Sequence, residues 1–128
     1  MGTGNNKPEI QVFDNDPFAM VWQAYRNLWP GSPAPSVEWT HIDQDDEEVG
    51  DSFGYTIFTD DGEIAVFVSC DIPVVSAVEI LAHELAHVAV GAEEDHGEKW
   101  EAAFEAIFQE YNRIGEEMTD EDERRVYR

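Results

Sequence analysis

Apolar positions along this chain alternate between a helical period and a strand period. Phe18, Val21, Trp22, Tyr25, Leu28 and Trp29 recur at i, i+3, i+4, i+7, i+10 and i+11, which is one stripe of a helix. Asp16 can cap that helix and Pro17 suits its first position. The run Pro30-Gly31-Ser32-Pro33-Ala34-Pro35 ends it. Val37, Trp39 and His41 then alternate with Glu38 and Thr40, the pattern of a strand. Phe53 to Thr59 reads as a second strand and the nearly all-apolar Ile64 to Ser69 as a third. Asp60-Asp61-Gly62 between them has hairpin chemistry, so these two strands should pair antiparallel.

After Ile72-Pro73 a long apolar helix is predicted from Val74 to Val90, with Gly91 as its natural C′ residue. Ala92 to Asp95 makes a short acidic connection. A second long helix starts near His96, carries Trp100, Phe104, Ile107, Phe108, Tyr111 and Ile114 on one face, and is expected to close at Gly115. The chain thus divides into a polar arm at 1–15, with an apolar patch at Ile10, Val12 and Phe13, one folded unit at 16–115, and a charged C-terminal helix or tail at 116–128, in which Thr119 could cap a helix from Asp120 to Tyr127. The predicted class is α+β: an N-terminal helix, a small antiparallel sheet of about three strands, and two long helices. A length of 128 residues fits one small domain.

Charge narrows the function. Asp and Glu number 29 against 7 Lys and Arg, a formal net charge of −22. Such a surface repels phosphate backbones and anionic lipid, which argues against direct nucleic-acid binding. A hydrophobic fraction of 42%, with four Trp, seven Phe and four Tyr, separates the chain from disordered acidic tails. The single Cys70 rules out an intrachain disulfide framework and a cysteine zinc knuckle, and it reads as a buried thiol or, in a second reading, as a thiolate blocking an open metal position. No apolar run has the length of a membrane span and the N-terminus lacks a signal-peptide pattern, so a cytoplasmic location is expected.

The central helix holds the sequence His83-Glu84-Leu85-Ala86-His87, an H-E-x-x-H motif. Two His at i and i+4 project from one helix face, one turn apart, where their nitrogens can meet one ion. Zinc there would lower the pKa of its bound water to about 7. Glu84, one residue along, could take that proton as general base and return it to a leaving nitrogen. Catalytic zinc has three protein ligands and an open position. His96, nine residues after His87, is the first choice for the third, with Glu93, Glu94 and Asp95 as competing oxygen donors.

With His96-Gly97-Glu98-Lys99-Trp100 following the motif, the stretch resembles the SprT-like metallopeptidase domain, also found in Spartan proteases. The N-terminal helix with its Pro/Gly break, Val37-Glu38-Trp39 and the hairpin before the motif helix are similar to that family's segments; the resemblance covers about residues 16–114. It implies a minimal zincin-like metallopeptidase core, Zn²⁺ held by His83, His87 and His96, Glu84 as the catalytic residue, and a protein or peptide substrate. The spacing departs from metzincins, whose third His comes six residues after the second, where this chain has Glu93. The chain also lacks the cysteine zinc ribbon of many family members, and its charge departs from the basic DNA-binding parts of Spartan proteins.

The expected function is therefore zinc-dependent hydrolysis of peptide bonds. The alternatives are a non-catalytic acidic zinc-binding partner of a basic protein, or nucleic-acid mimic, and a zinc hydrolase of a non-peptide substrate. Ile64 to Ser69 is the strand whose edge could pair with an extended substrate. His41 reads as a surface histidine, Tyr55 and Tyr111 as core or rim residues rather than oxyanion donors, and Asp43 to Asp51 as a solvated loop without EF-hand spacing.

Overall fold

The computed structural model describes residue 13 and residues 15–93 and 96–118. Among these residues three helices and three strands follow in the order α1 (Pro17–Leu28), β1 (Ser36–Thr40), β2 (Gly54–Phe58), β3 (Ile64–Ser69), α2 (Val74–Val90) and α3 (Glu98–Met118), an α+β arrangement. Asp16 caps α1 as its position predicts, its Oδ1 accepting the backbone N–H of Phe18 at 2.9 Å and of Ala19 at 3.3 Å. At the C-terminus of α2, Gly91 takes φ 96°, a conformation open to glycine, while its N–H bonds the His87 carbonyl at 2.9 Å.

The sheet has three strands in the order β1-β3-β2, and it is mixed rather than wholly antiparallel. The β2–β3 hairpin is antiparallel, as its turn requires, with Thr56 opposite Val66 and Gly54 opposite Val68. β1 instead lies parallel to β3 on the other side, Val37 opposite Val66 and Trp39 opposite Val68. The long acidic segment after β1 accounts for this. It carries the chain past the neighbouring place, and the tight turn then folds β3 back into the gap between β1 and β2. β3 is therefore the central strand with both edges paired, so it offers no edge to a substrate, contrary to expectation.

α2 lies at the centre and touches α1, α3, β2 and β3. That explains its apolar residues on almost every side: Ala77, Val78, Leu81, Ala82, Leu85, Ala86 and Val88 are all buried. α1 buries Met20, Val21, Ala24 and Tyr25 rather than the full predicted aromatic stripe, since Phe18, Trp22 and Trp29 only border the core. α3 does not end at Gly115 but continues to Met118. Within the helix Gly115 admits the Met20 side chain of α1, whose Cε would lie 3.4 Å from an added Cβ. Helical hydrogen bonding outweighs the intrinsic penalty of glycine, about 1 kcal/mol. The polar arm, apart from Phe13 and Asn15, and the helix expected from Asp120 lie outside the described residues.

One close contact fixes the distance between sheet and helix. A Cβ added to Gly54 would collide with Ile80 Cγ2 on α2 and would lie 3.0 Å from the carbonyl oxygen of Phe67 on β3. Gly54→Ala should therefore destabilise the protein by about 1–3 kcal/mol, the usual effect of overpacking, as measured by urea unfolding.

Candidate metal centre

Three imidazoles converge beside the C-terminal half of α2. His83 and His87 project from one face a turn apart, and His96 returns to them from the bend before α3. One ligand nitrogen from each can be chosen so that all lie within 4.8 Å of one another, and His87 Nε2 is 3.0 Å from His96 Nε2. Tetrahedral zinc with Zn–N bonds of 2.0–2.1 Å needs nitrogens roughly 3.3 Å apart, a separation comparable to those here. Among the described residues this is the group of His, Cys, Asp and Glu side chains close enough to hold a metal. Of the competing third ligands, Glu93 lines the same cleft but is outside that group, and Glu94 and Asp95 lie outside the described residues.

Trp100, on the first turn of α3, is the platform under the cluster. Its ring lies 4.7 Å from that of His83, 5.6 Å from His87 and 4.8 Å from His96, between centroids. Its indole N–H donates to the His83 carbonyl oxygen at 3.2 Å. Phe104 stacks on the indole at 5.1 Å, and its ring also lies 6.0 Å from that of His83. The sequence marks Trp100 as a core residue, but its contact with all three imidazoles follows only from how α3 folds back.

Glu84 stands next to the cluster with 5% of its surface exposed. Its Oε2 is 3.9 Å from His83 Nε2, and its Oε1 accepts a hydrogen bond from the Thr56 hydroxyl at 2.7 Å. Burial raises its proton affinity above the ordinary carboxylate value, opposed first by the Thr56 hydrogen bond and then by His96. Burial lowers that of His83, with His96 adding to the effect and Glu79 opposing it. A neutral imidazole is the form that binds metal, so this environment favours the ligand state of His83.

The site is open. A cleft of about 700 Å³ runs over it, lined by Ser52, Gly54, Tyr55, Thr56 and Phe58 on the sheet side and by His83, Glu84, His87, Ala92, Glu93 and His96 on the helix side. This arrangement can bind a cation through three nitrogens and accept a proton at a neighbouring carboxylate. Thr56 and Gly54 are the site residues that sequence reasoning missed. They share one face of β2 by strand alternation, but nothing local in the sequence shows that this face meets Glu84.

The remaining candidates lie elsewhere. His41 is exposed and its Nδ1 lies 2.6 Å from Asp71 Oδ2. Tyr111 packs edge-on to Phe108 at the core margin, whereas Tyr55 lines the cleft, stacked on Phe67 at 4.8 Å. Cys70 is exposed, not buried as expected, because it falls just past the end of β3; it does not line the cleft. The acidic loop is solvated as predicted, with Asp43 and Asp46 accepting backbone N–H groups of their own turns. No described helix is long and apolar enough to cross a membrane.

The raised proton affinity of Glu84 has a stability consequence. A carboxylate whose folded pKa exceeds its unfolded value contributes stability that is fully present below the unfolded pKa and is lost as pH rises through the folded one. Metal-free Glu84→Gln should therefore be more stable than metal-free wild type at pH 7, with the difference shrinking towards pH 4. Urea unfolding at both pH values measures it.

Comparison with family models, with curated proteins and with solved structures finds no match to this chain, so its function is argued from the site itself.

Proposed function

We propose that this protein is a zinc-dependent hydrolase of peptide bonds, a metallopeptidase of zincin type, in which His83, His87 and His96 hold the ion and Glu84 is the general base. The observation that carries this reading is the buried Glu84 carboxylate set beside three converging imidazoles on the floor of an open cleft. The donor set fits the metal: three imidazole nitrogens are a usual catalytic zinc environment, leaving one position for water or substrate. When bound, Zn²⁺ supplies Lewis acidity towards a carbonyl oxygen and acidifies water towards neutral pH.

The protein's own groups do the rest. His83 and His87 are fixed by the helix, and Trp100 holds the His83 turn and the His96 bend together. Glu84 takes up at Oε2, the oxygen on the His83 side, a proton of the water whose oxygen adds to the scissile carbonyl carbon, and delivers it to the amide nitrogen as the C–N bond breaks. Its burial makes it a stronger base than an exposed carboxylate. β2 is an edge strand bordering the cleft, so an extended polypeptide can add to it by main-chain hydrogen bonds. A net charge of −22 works against a polyphosphate substrate. The resemblance of the His83–Trp100 stretch to the SprT-like domain supports the same chemistry.

Two measurements test this. Titration should give one Zn²⁺ per chain, and His96→Ala should weaken binding by more than about 100-fold; undiminished affinity would assign the third ligand elsewhere. Zinc-loaded Glu84→Gln should keep its metal and lose about 10²–10⁴-fold in the rate of cleavage of an unfolded polypeptide. Equal rates in Glu84→Gln and wild type would remove Glu84 from the chemistry. A zinc-loaded wild type without cleavage would favour a binding role.

A further inference from the structure

Among the described residues Glu84 is the buried charged side chain, and its two carboxylate oxygens have different surroundings. Oε1 accepts the Thr56 hydroxyl at 2.7 Å, and Oε2 lies 3.9 Å from His83 Nε2. A carboxylate is planar, so anchoring one oxygen fixes the direction of the other. A glutamate side chain left to itself rotates about three bonds; here its last torsion is set from outside its own helix.

The anchor is itself stiff. Thr56 is the middle residue of β2, paired opposite the fully buried Val66. A β-branched side chain on a strand has little χ1 freedom, which holds its hydroxyl in one direction. Two residues earlier, on the same face, Gly54 lets the strand approach until an added Cβ would lie 3.5 Å from Glu84 Cγ. The aliphatic part of Glu84 is thus confined by Gly54 and its head by Thr56.

From this geometry we infer that Thr56 is a positioning residue for the proposed hydrolysis: its hydroxyl ties down Glu84 Oε1 and so aims Oε2 at the three-histidine cluster. The inference rests on the hydrolase reading for its catalytic consequence, not for its structural one. A general base works only within hydrogen-bond reach of its proton, and a displacement of about 1 Å is enough to lower a rate about 100-fold.

The test compares wild type, Thr56→Val, which keeps the shape and removes the hydroxyl, and Thr56→Ser, which keeps the hydroxyl and removes the methyl. Each is loaded with one equivalent of Zn²⁺ and assayed on fluorescein-labelled casein. Thr56→Val should lose about 10–100-fold in kcat with KM and bound zinc unchanged, and Thr56→Ser should stay within about threefold of wild type. A Thr56→Val kcat within threefold of wild type, or an equal fall in both variants, overturns the inference. Crystal structures of zinc-loaded wild type and Thr56→Val give a readout independent of turnover. In Thr56→Val the Glu84 carboxylate should rotate away or split between conformers; an unmoved carboxylate overturns the inference. If wild-type protein cleaves nothing, the hydrolase reading fails and the crystallographic comparison alone decides whether Thr56 sets the orientation of Glu84.

Discussion

The docking of Trp100 against the His83 turn of α2 is the contact on which the site depends. The indole bonds the His83 backbone, packs against three imidazoles and is backed by Phe104. Because it stands on the first turn of α3, it brings the preceding bend, and His96 with it, onto the face that carries His83 and His87. Without that docking the two histidines of α2 would be an ordinary pair on a helix face. With it, one nitrogen from each of three imidazoles lies within 4.8 Å of the others. Such preorganisation reduces the ordering that binding would otherwise require.

The opposite wall of the cleft comes from the sheet, and its placement is equally local in cause. β2 reaches α2 where Gly54 has no side chain, and Thr56 then meets Glu84. The result is a buried carboxylate beside a cluster of imidazoles, an arrangement in which the charged forms of both Glu84 and His83 are disfavoured by burial. A divalent cation at the centre of the cluster would offset both effects, stabilising the ionised carboxylate nearby and taking up neutral imidazole as ligand. On the proposed reading, the same desolvation that burdens the metal-free fold is what makes Glu84 an effective base.

On the proposed reading, surface charge bears on the choice of substrate rather than on the chemistry. Of the described cations, Arg26 donates to the carbonyl oxygens of Ser32 and Pro30, and Arg113 is held by Glu110 and Glu117. Among the described residues no Lys or Arg lines the cleft, and Glu93 does. On the proposed reading, the net charge of −22 disfavours phosphate chains, whereas an unfolded polypeptide could use the edge of β2 and the open cleft.

The sequence by itself determined the elements and the first part of the site. Helical periodicity in Phe18 to Trp29 and from Trp100 to Ile114, the Asp16 cap, the Gly91 stop and the Asp60-Asp61-Gly62 turn are all short-range signals, and the corresponding elements form where those signals put them. The His83/His87 pair was legible for the same reason, because a spacing of four on a helix is a fixed distance. What the tertiary structure decided is whatever joins residues far apart in the chain. The order of the sheet depends on which side of β3 a long loop delivers β2. α3 continues past Gly115 to Met118, although Gly115 reads locally as a stop. The exposure of Cys70 depends on where the sheet runs out. The meetings of Thr56 with Glu84 and of Trp100 with three imidazoles have no sequence signature, because each is set by the docking of two elements, and no pattern within either element specifies its partner.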